Sequence, residues 1–296
     1  MLRVFSPLAI MAILLTGPAA SAGSAPAAPS KFVSSSVGGE FTSDFKYLAN
    51  NFEADGESIV TAPLHLDAAG AMLTNPRFYL VAAGAGAAFG GSFALDQTMR
   101  SHLGSMGSST ADLFQNVSYG SVSAATALLY GYGLYSGDSR ARQYALTAGE
   151  GAGIATLVDI GIKSAFGRLR PSQSGSHTAF FHGGRSFVSG DVTPMFALAA
   201  GVSEYYDNEW YVSIPIYSLA LLDGFGRMGN NAHWFSDVVG AALLGVGTTE
   251  LFLYLHRQHE KHPWRFRIFP AAPPPVPSKA SAQSVAPTGI RLAFYW

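Results

Sequence analysis

Hydrophobic and polar residues fall along this chain in blocks. From about residue 46 to 260, long apolar stretches are separated by short polar ones. Segments 78–95, 113–137, 210–222 and 238–249 carry no charged residue, and 143–166 is apolar apart from Glu150, Asp159 and Lys163. These segments are rich in Ala, Leu and Gly and too long for strands, so they predict helices. No alternation with a period of two runs for any length inside this region, and an all-α helical bundle is expected. Beyond it, Pro263 ends the helical pattern, and Trp264 to Phe269 alternates apolar with basic residues. A Pro-, Ala- and Ser-rich linker (270–288) then leads to a second short β-like run ending at Trp296. The two runs are candidates for a hairpin in a C-terminal tail, 261–296.

The N-terminus has a different character. Arg3 supplies a positive start, Val4 to Leu15 is mostly apolar, and Ala20-Ser21-Ala22 gives a small-x-small cleavage pattern. Residues 1–22 therefore predict a secretory signal, and 23–45, rich in Ala, Ser, Pro and Gly, a flexible lead-in. The expected location is outside the cytoplasm, on the periplasmic side of the cell envelope, associated with the membrane or embedded in it. About 20 apolar residues are needed to span a bilayer, and only 78–95 and 113–137 approach that length. The other segments contain or adjoin Glu150, Asp159, Glu204, Asp223 or Glu250, and ionisable groups in hydrocarbon are costly unless paired. A compact export-side bundle with membrane association is favoured over a polytopic protein.

Composition sharpens the picture. Only 12% of the 296 residues are charged, about half of the roughly 25% usual in soluble domains. The net charge of −1 offers no general attraction to phosphate backbones, so nucleic acid is not an expected partner. The absence of cysteine excludes disulfides, thiol nucleophiles, Cys-ligated zinc and iron–sulfur clusters.

Three clusters carry the candidate chemistry. The first, Lys163 to Pro171 (KSAFGRLRP), places a Lys and an Arg seven apart at the end of an apolar helix. The second, Ser186 to Pro194 (SFVSGDVTP), is a small-residue turn leading into the next apolar segment. In the third, Gly226 to Asp237, Arg227 precedes His233 by six and Asp237 follows it by four. Cations in so charge-poor a chain are costly to desolvate unless an anion answers them. Arg forks match phosphate oxygens, and Lys adds a point charge. A Ser-Gly turn opening a helix offers free N–H groups and the positive end of the helix dipole. His233 and Asp237, placed on one helical face, let the carboxylate set the imidazole tautomer and leave the other nitrogen free to attack. Together the groups describe a nucleophilic histidine facing a tetrahedral oxyanion. No metal site and no cofactor are expected. His256, His259 and His262, spaced by three, suit a helix C-terminus, where cations complement the dipole.

In this order the clusters resemble the three motifs of the type 2 phosphatidic acid phosphatase (PAP2) family. Its superfamily includes bacterial acid phosphatases and vanadium haloperoxidases. The family pattern is Lys-x6-Arg-Pro, then Pro-Ser-Gly-His, then Ser-Arg-x5-His-x3-Asp. Lys163 to Pro171 fits the first, and Arg227, His233 and Asp237 fit the third, with Gly226 where Ser is usual. The resemblance covers about 75–255 within a helical domain set at 46–260. It implies His233 as a nucleophile forming a phosphohistidine, Asp237 as its partner, and Lys163, Arg170, Arg227, Ser189 and Gly190 as holders of the phosphoryl oxygens. It also implies a phosphorylated small molecule or lipid as substrate.

The second motif departs from the pattern. Val188-Ser189-Gly190-Asp191 has Asp where the family has the His that protonates the leaving oxygen. A carboxyl is ordinarily ionised at neutral pH, and general acid catalysis is worth roughly 10²–10⁴ in rate. Three expectations follow. Asp191 acts as the acid in an acid-optimum phosphatase, or His177 or His182 supplies the proton, or activity is weak. The rival readings are a non-catalytic envelope protein with a degenerate phosphate pocket and a vanadate-dependent haloperoxidase.

Overall fold

The computed structural model describes residues 37–61, 76–261, 266–270 and 290–294. Among them the helices are α1 (Val37–Thr61), α2 (Pro76–Leu103), α3 (Ser108–Ser136), α4 (Ser139–Phe166), α5 (Val192–Tyr205), α6 (Trp210–Gly229) and α7 (Phe235–Lys261). The strands β1 (Phe266–Pro270) and β2 (Ile290–Phe294) pair antiparallel, Phe266 opposite Phe294. The all-α core is present, and the apolar segments form α2, α3, α4, α6 and α7. The signal segment and most of the Pro-rich linker lie outside the described residues.

The bundle is built around its shortest helix. In α5, Val192, Met195, Phe196, Ala199, Ala200 and Val202 are buried, and the helix packs against α3, α4, α6 and α7. A helix apolar on every side is stable only when surrounded. Small residues let the neighbours close in. A Cβ on Gly201 would strike Ala148 on α4, and one on Gly245 would strike the Thr193 carbonyl and the Ala197 amide of α5. Gly151 meets Thr249 in the same way across α4 and α7. Ser189 N–H donates to the Asp237 carbonyl (3.2 Å), and Lys163 Nζ donates to the Val188 carbonyl (2.6 Å). The end of α4 and the starts of α5 and α7 are therefore gathered at one end of the bundle.

Two sequence expectations change. Helix α1 starts at Val37, inside the stretch read as a flexible lead-in. Its small polar residues offer little local preference, and a tertiary contact decides. Buried Arg142 of α4 donates to Asp44 (3.2 Å) and to the Gly133 carbonyl (3.1 Å), and pairs with Glu40 at 3.5 Å. Tyr130 donates to the other Asp44 oxygen (2.8 Å).

The second change concerns the membrane. Among the described residues, the helices long and apolar enough to cross one, judged by length and composition alone, are α4 and the Phe235–Arg257 part of α7. Segments 78–95 and 113–137 lack charge, yet their Gly, Ala, Ser and Tyr residues make them less apolar than the Leu- and Val-bearing α7. The outward faces of α4 and α7 expose Leu157, Val158, Ile160, Leu251 and Tyr254.

Gly245→Ala should destabilise the protein by about 1–3 kcal/mol, because the obstructing atoms are backbone and cannot rotate away. That outweighs the roughly 1 kcal/mol of helix propensity gained. Urea unfolding of the two proteins measures the difference.

Candidate active site

The site is assembled from helix ends. Lys163 lies in the last turn of α4, which stops at Gly167 in the left-handed conformation (φ 51°), its N–H donating to the Lys163 carbonyl. Arg227 lies in the last turn of α6. His233 occupies the turn between α6 and α7, and Asp237 the first turn of α7. His233 and Asp237 therefore do not share a helical face, because α7 starts only at Phe235. The turn is fixed instead by the Asp237 carboxylate, which accepts the Trp234 N–H at 2.9 Å. A side chain in the first turn reaching back to the amide before the helix is half of a capping box.

Arg168, quoted in the first cluster but given no role from sequence, organises the rest. It is fully buried and ion-paired with Asp96 of α2 (2.6 Å) and Asp237 (2.5 Å). It also donates to Ser236 Oγ (2.7 Å) and the His177 carbonyl (2.9 Å). The faces of Phe93, Phe180 and Trp234 surround its guanidinium at 4.8–5.5 Å. Asp96 in turn accepts the Ser236 N–H and hydroxyl, both at 2.8 Å. Nothing in the spacing links Asp96 to Arg168, 72 residues apart.

His233 is almost fully buried, with Nδ1 2.7 Å from the Ser186 carbonyl. A carbonyl can only accept, so Nδ1 carries the proton and Nε2 keeps its lone pair. The expected direct partner, Asp237 Oδ2, is farther off at 3.7 Å. That oxygen is engaged by the Ser186 hydroxyl (2.5 Å) as well as by the Trp234 amide. Ser186 thus bridges the two, its carbonyl on the imidazole and its hydroxyl on the carboxylate. Burial pushes the imidazole below its ordinary value, and nearby Arg227 and Lys163 push the same way against Asp237. Burial would raise Asp237, but His233, Arg168 and Ser186 more than offset it and hold the carboxyl down.

The cations come together near His233, but not bare. Lys163 directs its ammonium to both oxygens of Asp159 (2.6 and 2.5 Å) and to the Val188 carbonyl. Burial lowers Lys163 and raises Asp159, opposed by their mutual attraction. Gly190 lies directly against this pair: a Cβ there would sit 2.7 Å from Asp159 and 2.9 Å from Lys163. Arg227 pairs with Asp191 at 2.9 Å, and Tyr119 donates to the other Asp191 oxygen at 3.0 Å. Both Asp191 oxygens thus act as acceptors, a geometry unsuited to the acid role expected from sequence. Ser189 Oγ and Arg227 Nε are buried without a hydrogen-bond partner. Arg170 is partly exposed and forms no ion pair among the described residues.

Of the substitute acids, His182 is exposed, while the His177 ring stands edge-on to Trp234 at 6.2 Å, one residue from His233. Asp223 is fully buried one helical turn before Arg227, with both oxygens lacking a hydrogen-bond partner. Burial and the nearby Asp191 push its carboxyl up to about 7, against the pull of Arg227. The sequence marked it only as an ionisable group that is costly in hydrocarbon unless paired.

The profile described as PAP2 superfamily matches residues 144–261, which include all three clusters. This stretch is similar to the PAP2 superfamily. A lipid A 1-phosphatase of Porphyromonas gingivalis is 35% identical over 91 residues, 30% of this chain and 18% of that protein. The chain therefore matches less than a fifth of that relative's length. No solved structure matches. Within the matched segment, the Asp191–Arg227 pair joins the second cluster to the third.

Arg168→Met should cost about 3–5 kcal/mol of stability, since it strands Asp96 and Asp237 as buried, uncompensated carboxylates. Chemical denaturation monitored by tryptophan fluorescence measures the loss.

Proposed function

We propose that this protein is a PAP2-type phosphatase that hydrolyses phosphomonoesters, including phosphorylated lipids, at the outer side of the cytoplasmic membrane. The observation that carries this reading is the His233 tautomer. With Nδ1–H bound to the Ser186 carbonyl, Nε2 is the nucleophilic nitrogen, and Lys163 and Arg227 are close enough to depress its basicity. The relative's name, lipid A 1-phosphatase, supports a lipid phosphate as the substrate class. The apolar outer faces of α4 and α7 support membrane association.

In the first step His233 Nε2 attacks phosphorus while the ester P–O bond breaks, and the leaving oxygen takes a proton from solvent or a nearby acid. In the second, water attacks the phosphohistidine, giving a proton to the medium and releasing inorganic phosphate and neutral His233. The phosphoryl oxygens replace Asp191 on Arg227 and take donors from Arg170 and Ser189. Gly190 keeps the path to Lys163 clear. With Asp191 accepting at both oxygens, leaving-group protonation is the weak step, so aryl phosphates react faster than alkyl phosphates.

A second reading, a pocket that binds or merely packs without turnover, is favoured by the carboxylates already on Lys163 and Arg227. Purified mature protein assayed on aryl, alkyl and lipid phosphates decides between them. His233→Ala should reduce activity at least about 10³-fold, as for removal of a nucleophile. Unchanged turnover in that variant rejects the phosphatase reading.

Asp191→Asn should free Arg227 and lower KM for an aryl phosphate several-fold with little change in kcat. The pH profile of kcat/KM should have its acid limb below 6.5, because the buried imidazole stays neutral under conditions that protonate an exposed one. Its alkaline limb should fall near 7, as Asp223 ionises beside Asp191, Arg227 and Tyr119 and adds negative charge where a dianion must bind. Asp223→Asn should remove the alkaline limb and leave the acid limb in place.

A further inference from the structure

A second cluster of titratable groups lies away from this site. Counting along the helices at about 1.5 Å per residue, Glu150 is some 20 Å from Lys163 on α4, and His256 is some 28 Å from Asp237 on α7. At that far end Asp55 of α1, Glu150 of α4 and His256 of α7 converge, each offering a ligand atom within 4.8 Å of the others. His256 Nε2 is 2.6 Å from Asp55 Oδ2 and 3.5 Å from Glu150 Oε2. All three side chains are more than nine-tenths buried, at 2%, 6% and 6% exposure. His256 is thus not the exposed, dipole-complementing cation expected from the His-x2-His-x2-His spacing. His259 and His262 lie outside the residues whose side chains are described.

We infer that Asp55, Glu150 and His256 form a binding site for one divalent transition-metal ion of the zinc class, pinning α1 to α4 and α7. Both Glu150 oxygens are buried with no hydrogen-bond partner, and Oε2 lies 3.5 Å from the imidazole Nε2. A buried carboxylate in that condition is costly unless a cation or a proton neutralises it. His256 Nδ1 lies 3.1 Å from Thr147 Oγ1 and 3.0 Å from the Tyr47 hydroxyl. Without an ion, Nε2–H donates to Asp55 Oδ2, because a carboxylate can only accept. An entering ion takes the place of that proton, and a hydroxyl accepting from Nδ1 then serves as the outer partner of the bound imidazole. The Glu150 carboxylate beside this pair is left unanswered, and a dication bound by all three residues would neutralise it. One imidazole and two carboxylates are ligands that zinc and manganese accept, at about 2.0–2.2 Å for zinc. Two anionic ligands with a neutral imidazole balance a dication. Bond lengths of that size require the short His256–Asp55 approach to open slightly as the ion enters.

The test uses untagged, full-length mature protein, stripped with chelator and then dialysed against micromolar Zn²⁺ or Mn²⁺. Metal content by mass spectrometry should reach about one equivalent per chain, and the ion should raise Tm by several degrees. Glu150→Gln, which keeps the shape but not the charge, should bind less than about a tenth of that amount and lose the Tm response. His256→Gln should do the same. The inference is overturned if stripped protein takes up neither ion, or if Glu150→Gln binds as much as the parent, which would move the ion to other groups. It is equally overturned if Glu150→Gln has a higher Tm than the parent whether or not metal is added, the signature of a cluster neutralised by protons alone. Because these readouts do not involve turnover, they are independent of the proposed phosphatase activity.

Discussion

The buried ion pairs of Arg168 are the constraint on which the site depends. A guanidinium with no solvent exposure is tolerable only when each side of its fork meets an acceptor, and Asp96 and Asp237 meet it from different helices. Three aromatic faces exclude water around the pair. Holding Asp237 in this way points its other oxygen at the Trp234 amide and the Ser186 hydroxyl. The turn carrying His233 is thereby closed, and the Ser186 carbonyl is brought onto Nδ1. The orientation of the imidazole is thus inherited from a cation that never needs to touch a ligand.

Low charge content governs much of the architecture. With few charged groups available, these cations of the interior sit in answered sets: Arg142 with Asp44 and Glu40, Lys163 with Asp159, Arg227 with Asp191. The Arg142 and Arg227 sets join elements that the apolar pattern alone does not order, whereas Lys163 and Asp159 both lie on α4. Arg142 anchors α1, and Lys163 also ties α4 to the segment before α5 through the Val188 carbonyl. Glycine and alanine supply the close approach between helices, and these pairs supply register at the ends.

The helical core was legible because an uncharged block longer than a strand has few alternatives, and the five blocks became five helices. Lys163, Arg227, His233 and Asp237 were visible because their spacing along the chain is itself the signal. Asp159, Asp96 and Tyr119 were not visible as site partners. Asp159 looked like an ordinary buried charge on an apolar helix, and the other two come from α2 and α3, where no spacing links them to the clusters. His233 and Asp237 do lie close, at 3.7 Å, but the shared helical face was misjudged, because a separation of four implies one face only inside a helix and α7 begins two residues after the histidine. Helix α1 was missed from Val37 onward because its stability lies in Arg142, about a hundred residues away.

The salt bridge between Asp191 and Arg227 has an electrostatic corollary. A guest that takes over the guanidinium must turn out a resident anion, so only the excess of its charge over that of the evicted carboxylate works in its favour. A phosphodiester, with a single negative charge, exchanges like for like; a terminal phosphate, approaching two, retains a surplus. If the site binds phosphate as proposed, the Asp191–Arg227 pair would favour chain-end over bridging phosphates before any contact with the rest of the guest molecule.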